Sequence, residues 1–225
     1  MEGIDRSGED GAEITPIADG GGMCLRRSDF AGIAVRIESN VSPVRGGGVA
    51  LDTSLLSLEQ AVLVGNVAIE GGGVRAKGAS DIGIQNVILA YNQGGNLVMD
   101  TEVDITLGWS DFYNPAGYGS TLETPQTGTS LYTLEPGFLT YDENGLPVDV
   151  HLSSTCSLRN VGSRDLTDPY GTRSDLGAYG GASGDGYDLD GDGFPAYLWP
   201  GTLADAPTGF DPAAYDCDDE DAGVQ

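Results

Sequence analysis

Positive charge, cysteine, histidine and long apolar runs are all scarce in this sequence. Ten Lys or Arg face 35 Asp or Glu, for a formal net charge of −25. A surface this acidic repels phosphate backbones and anionic headgroups over a Debye length, so nucleic acid is not an expected partner. Three cysteines, Cys24, Cys156 and Cys217, are too few and too scattered for a disulfide framework or a four-cysteine zinc site. Their odd number leaves two readings open, a partner outside the sequence or a free thiol. The one histidine, His151, alternates as a strand residue within Val148-Asp149-Val150-His151-Leu152 and reads as structural rather than as a general base. No stretch approaches the ~20 apolar residues of a membrane span, so none is expected. Met1-Glu2-Gly3-Ile4-Asp5-Arg6 lacks the basic start and apolar run of a signal peptide. The chain ends without terminal devices and reads as a piece of something longer. A phosphate loop is excluded because the glycine turns have no following helix and lysine. No serine or cysteine nucleophile stands with a base.

Glycine, by contrast, is abundant, with 36 residues, which disfavours helix at roughly 1 kcal/mol per interior position. It is also periodic. Gly20-Gly21-Gly22-Met23, Gly46-Gly47-Gly48-Val49, Gly71-Gly72-Gly73-Val74 and Gly94-Gly95-Asn96-Leu97 start 26, 25 and 23 residues apart. The apolar stretch after each closes on Asn40, Asn66, Asn92 and Asn114, spaced 26, 26 and 22. Such repeats predict an all-β solenoid, in which each unit buries its apolar face only by stacking on its neighbours. Alternation in Phe30–Ile37, Leu55–Leu58, Asp81–Leu89 and Val103–Leu107 predicts two or three short strands per repeat. The glycines are expected at sharp corners. The asparagines, which tolerate left-handed backbone, are expected to stack as a corner ladder.

These residues resemble the right-handed parallel β-helix of the pectate-lyase-like superfamily, in particular its polymorphic outer-membrane-type repeats. Asn66-Val67-Ala68-Ile69-Glu70-Gly71-Gly72-Gly73 carries the likeness most fully. It continues through Trp109–Asn114, Glu135–Phe138, His151-Leu152 and Asp168–Gly181, an order similar to the closing segment of bacterial surface β-helix proteins. One departure lies at Ser157-Leu158-Arg159-Asn160, where the family writes serine-proline-x-isoleucine-aspartate. The resulting division is a lead-in over 1–19, read as a truncated rung; rungs over 20–115; terminal rungs with an irregular closing cap over 116–184; and an acidic segment over 185–225. Arg173 and Asp175 in the cap are expected to bond loop backbone.

The acidic segment holds eleven of the 35 acids and no Lys or Arg. Asp188-Leu189-Asp190-Gly191-Asp192-Gly193-Phe194 has the form of a calcium loop: alternate carboxylates converge on a cation, glycine permits the bend, and Phe194 offers its carbonyl oxygen as a further ligand. Three carboxylates within ~4 Å repel by about 1 kcal/mol per pair in water and about 4 at a protein surface, which a cation relieves. Position twelve is Trp199, so this is not an EF-hand. Further ligands are expected from Asp216, Asp218, Asp219 and Asp221, and the all-oxygen set favours calcium over copper or zinc. The alternative is a solvated acidic tail. The run through Pro207-Thr208-Gly209-Phe210 to Asp216-Cys217-Asp218-Asp219 resembles the metal-binding repeat of MopE-like surface proteins and thrombospondin type-3 repeats, cut short here.

The resemblance implies a secreted or cell-surface bacterial protein, structural or adhesive, binding glycans or other surface molecules, with a calcium-binding tail. The alternative is a polysaccharide lyase or glycoside hydrolase. Such chemistry needs paired acids about 5–9.5 Å apart, and Asp81, Glu102, Asp104 and Asp111 are the residues available across successive rungs. Arg75 and Lys77 read as solvated outward residues. Trp109, Phe112, Tyr113 and Tyr118 suit either a sugar-stacking surface or core packing.

Overall fold

The computed structural model describes residues 19–119, 129–153, 155–168 and 171–182. Within them the chain is all-β, with no helix. Each repeat forms one short strand and one long one: β1 (Met23–Arg26) and β2 (Asp29–Glu38), β3 (Val49–Asp52) and β4 (Leu55–Val64), β5 (Val74–Lys77) and β6 (Asp81–Ala90), β7 (Leu97–Met99) and β8 (Asp104–Tyr113). The short strands stack in parallel in the order β1-β3-β5-β7. The long ones stack as β2-β4-β6-β8, and β9 (Thr129–Tyr132) adds a fifth. This is a β-solenoid of about four turns. The in-register rows follow the glycine repeat: Met23, Val49, Val74 and Leu97 lie one above the next, as do Asp29, Leu55, Asp81 and Asp104.

The interior is built from the alternate residues of these rows. Leu56, Leu58, Leu63, Ile82, Ile84, Leu89, Leu107 and Phe112 pack with Val49, Leu51 and Val74 in one continuous core. Each buried side chain of this kind contributes roughly 1.5–3 kcal/mol. The triple glycines sit where successive rungs approach most closely. A Cβ on Gly47 would lie 2.6 Å from the Gly72 carbonyl oxygen, and one on Gly48 would lie 2.7 Å from that of Gly73. The first glycine of each set has positive φ, 83°, 63°, 67° and 93° at Gly20, Gly46, Gly71 and Gly94, a region open to glycine without penalty.

The asparagine ladder forms, by a different device from the one expected. Positive φ falls on the residue before the asparagine, at Ser39, Gly65 and Tyr91. The side chains reach to the adjacent rung instead of to their own backbone. The Asn66 Oδ1 accepts both the backbone N–H and the Nδ2 of Asn40 at 3.0 Å, and Asn92 Oδ1 does the same for Asn66. Asn114 Oδ1 accepts the Asn92 N–H at 2.9 Å. Turn backbone that would otherwise be buried unpaired is thereby satisfied.

A second column of positive φ was not expected. It runs through Ala34, Gln60, Asn86 and Trp109, the sixth position of every ten-residue strand, and on to Ser130 in β9, and bends each long strand into two legs. The first legs point one face inward and one to solvent. In the second legs both faces are covered. The residues Ala61-Val62-Leu63-Val64 and Val87-Ile88-Leu89-Ala90 are buried throughout, with Leu63 and Leu89 inside and Val62, Val64, Ile88 and Ala90 outside.

What covers the outside is the C-terminal part of the chain. After β9, the hairpin β10 (Phe138–Tyr141) and β11 (Pro147–Leu152) is antiparallel. It and the loops up to residue 182 lay Phe138, Val150, Leu152, Leu158, Leu176 and Ala178 over Val62 and Ile88. This strap is pinned at the bend column. The Ser163 N–H donates to Asn86 Oδ1 at 2.7 Å, Asn86 Nδ2 donates to Ser174 Oγ at 2.8 Å, and the Gly177 N–H donates to the Asn86 carbonyl at 2.9 Å. Among its described residues, the stretch assigned from sequence to terminal rungs and cap contributes one further rung strand, β9, and a layer along the side of the stack.

Candidate ligand-binding face

The bend leaves one broad surface uncovered, the outward side of the first legs. Its three rows are Asp29, Leu55, Asp81 and Asp104; Ala31, Ser57, Gly83 and Thr106; and Ile33, Glu59, Gln85 and Gly108, each in register across four rungs. The outer row is exposed throughout, and Ile33 is 60% exposed. The middle row holds only small side chains, so the surface is a shallow trough with a carboxylate edge. A Cβ on Gly83 would meet only Ser57 Oγ, at 3.8 Å.

The four acids singled out from sequence do not converge. Asp81 and Asp104 are register partners on neighbouring strands, and Glu102 is exposed in the preceding turn. Asp111 lies on the second leg opposite Ile88, 0% exposed beneath the strap. One of its oxygens accepts the Leu134 N–H at 2.8 Å; the other has no hydrogen-bond partner. Burial pushes its carboxyl up to about 7, opposed only by that N–H. The aromatic group also divides. Phe112 is inside the solenoid. Trp109, Tyr113 and Tyr118 pack with the strap cluster, and Tyr113 meets Tyr91 edge-on at 5.4 Å.

Arg75 is not the solvated residue expected. It is 8% exposed and bridges two rungs, with Glu70 at 3.1 Å and Asp100 at 2.6 Å. Glu70 also binds Arg45 at 2.8 Å, and Lys77 lies between Asp19 and Asp52 at 3.6 and 3.4 Å. Opposite charges at repeat spacing carried this information: Arg45 and Glu70 are 25 residues apart, as are Arg75 and Asp100.

The strap residues hold its loops. Arg173 donates to the Gly162 and Val161 carbonyls at 2.7 and 2.8 Å, and Asp175 accepts the Asn160 N–H at 2.5 Å, both as expected. Asp168 accepts the backbone N–H groups of Asp175 and Gly181 at 3.1 and 2.6 Å. Burial, and then the charge of Asp175, raise its carboxyl to about 6. His151 bonds Asp149 at 2.5 Å through Nδ1 and stacks on Tyr179 at 3.5 Å. Tyr179 in turn takes a hydrogen bond from Arg36. This chain of contacts ties β11 and the strap to the first rung.

The predicted calcium ligands Asp188, Asp190, Asp192, Phe194, Asp216, Asp218, Asp219 and Asp221 lie outside the described residues, as does Cys217. Among the described residues no group of three or more His, Cys, Asp or Glu is placed to hold a metal ion. Cys24 is exposed and Cys156 partly buried, neither in a disulfide there. No helix among the described residues is long and apolar enough to cross a membrane. Compared with family models, curated proteins and solved structures, the chain matches none.

Proposed function

We propose that this chain is a structural or adhesive module of a secreted or cell-surface bacterial protein, a right-handed parallel β-helix that binds glycans or related surface molecules along its open face. The observation that carries this reading is the trough on the first legs. Four rungs repeat a row of small residues beside a row that is acidic in three of them, Asp29, Asp81 and Asp104, at a spacing of about 4.8 Å, while the strap covers the other outer face. A repeating surface suits a repeating, largely neutral polymer, whose hydroxyls hydrogen-bond to Asp81, Asp104, Gln85 and Thr106. Calcium, bound by the aspartates of 188–221, stiffens the acidic segment and offsets its mutual repulsion. The polysaccharide-cleaving alternative rests, on this face, on Asp81 and Asp104.

One experiment with two arms tests this. On a glycan array, the wild-type chain is expected to bind at least one neutral polymer, and Gly83→Arg, which fills the trough without meeting a close neighbour, to weaken binding at least about tenfold. Equal binding by Gly83→Arg contradicts the trough. Reducing ends released by the wild type and lost in the Asp81→Asn, Asp104→Asn double variant would establish the enzyme instead. Calorimetry with calcium alone is the second arm. Heat at micromolar to millimolar calcium, abolished by Asp190→Asn with Asp192→Asn, is expected, and its absence in the wild type removes the calcium assignment.

A further inference from the structure

The strap is pinned to the solenoid by polar bonds at Asn86, Arg36 and Tyr91, and between these pins it lies on an apolar patch. On the outer side of the second legs, one row runs Arg36, Val62, Ile88, Asp111 and Tyr132 in register. Arg36 lies at the rim, with its guanidinium 5.5 Å from the Tyr179 ring. Val62 and Ile88 lie under Gly177, whose Cβ position is 3.1 Å from both side chains. Asp111 is therefore a carboxyl set in a hydrocarbon seam, at the place where the chain leaves β9 to become the strap. Its Leu134 partner is the second residue after that strand.

Its other oxygen is sealed from solvent and unpartnered. A neutral carboxyl tolerates that position, whereas an ionised one loses its hydration with a single N–H to replace it. Among the described residues no nearby charge compensates. Tyr132 follows Asp111 in register and Tyr113 lies two residues on along β8. Glu135 is held by the Tyr91 hydroxyl at 3.2 Å. On the strap, Arg159 lies 3.5 Å from Asp175, and Arg173 is spent on carbonyls. None of these acts electrostatically on Asp111; burial alone raises its carboxyl.

We propose that the strap is a proton-dependent latch, seated on the second legs while the Asp111 carboxyl is neutral and released as that carboxyl takes up its charge. Release uncovers the apolar patch formed by Val62, Ile88, Val64 and Ala90, leaving the interior rungs intact. The direction follows from linkage. A carboxyl near its ordinary 3.8 when the strap is off and about 7 when it is on binds more protons in the seated form between those values. Seating is strongest below about pH 4, weakens about tenfold per pH unit up to about 7, and is level above that.

Hydrogen exchange on the whole chain tests the latch by comparing the wild type with Asp111→Asn at each pH, so that the intrinsic pH dependence of exchange cancels. At the Ser163 and Gly177 amides, which donate to Asn86 across the interface, the ratio of wild-type to variant rates is expected to rise about tenfold per unit from pH 4.5 to 7 and then level. At Leu58 and Ile84, inside the rungs, it is expected to stay flat. A flat ratio in the strap overturns the role of Asp111, and an equal rise in the rungs overturns the latch in favour of global unfolding. If Asp111→Asn does not fold, the wild-type carboxyl ¹³C resonance decides: titration of Asp111 near 4 excludes the mechanism, and titration near 7 together with strap opening supports it.

Discussion

Asn66→Ala is expected to cost about 3–5 kcal/mol of unfolding free energy, among the largest effects of any single substitution in this chain. Asn66 is 0% exposed, and its side chain is the meeting point of three turns. It accepts two N–H groups of Asn40, donates to the Ile37 carbonyl at 2.8 Å, and donates to Asn92 Oδ1 at 3.0 Å. Alanine leaves the Ile37 carbonyl and both Asn40 donors without these partners, each at about 1–3 kcal/mol when desolvated. Asn40 is the internal control. It stands at the end of the ladder and is only partly buried, so Asn40→Ala is expected to cost about 2 kcal/mol less than Asn66→Ala. Denaturant titration of the two variants beside the wild type measures the difference. Equal, small losses would mean that the stacked asparagines do not hold the turns.

Phe112→Ala is expected to have a comparable effect, about 3–5 kcal/mol, through a cavity rather than a broken ladder. Phe112 is 2% exposed and pairs with Leu89 in register, among the largest of the fully buried side chains. Its inward position also separates two readings of the aromatic cluster. Were Phe112 a sugar-stacking residue, its removal would lower glycan affinity and leave stability nearly unchanged. In the interior, it lowers the denaturation midpoint and leaves the affinity of the folded fraction as it was. Thermal or denaturant unfolding alongside array binding distinguishes the two outcomes.

The rung architecture was legible in the sequence because its two constraints fall on residue types with few alternatives. Gly21, Gly47 and Gly72 must lack a Cβ for the next carbonyl to approach, and Asn66 and Asn92 must carry both a donor and an acceptor. The alternation of Leu56 with Leu58 and of Ile82 with Ile84 then supplied the inward face. The bend was not legible. It falls on alanine, glutamine, asparagine, tryptophan and serine, and stacking rather than residue type holds these in the left-handed region, so composition carries no mark of it. The strap left a signal of another kind. Ala61-Val62-Leu63-Val64 and Val87-Ile88-Leu89-Ala90 break the alternation with continuous apolar runs, the pattern of a sheet buried on both faces. Taken at face value, those runs require a cover for the outside of the stack as well as for its end. The open trough was present as rows in the repeat alignment, but telling it from the covered face required knowing where the strands bend.

Rung-by-rung stacking is the claim on which the rest stands, and a cross-link measures it most directly. With Cys24, Cys156 and Cys217 replaced by serine, Ser57→Cys and Gly83→Cys face each other on adjacent strands about 4.8 Å apart at Cα, within reach of a disulfide. Ser57→Cys with Thr106→Cys spans two rungs, about 9.6 Å, and is out of reach. Mild oxidation is expected to close the first pair within a single chain and to leave both thiols of the second pair free. Closure of the second pair as readily as the first, or of neither, would contradict the solenoid.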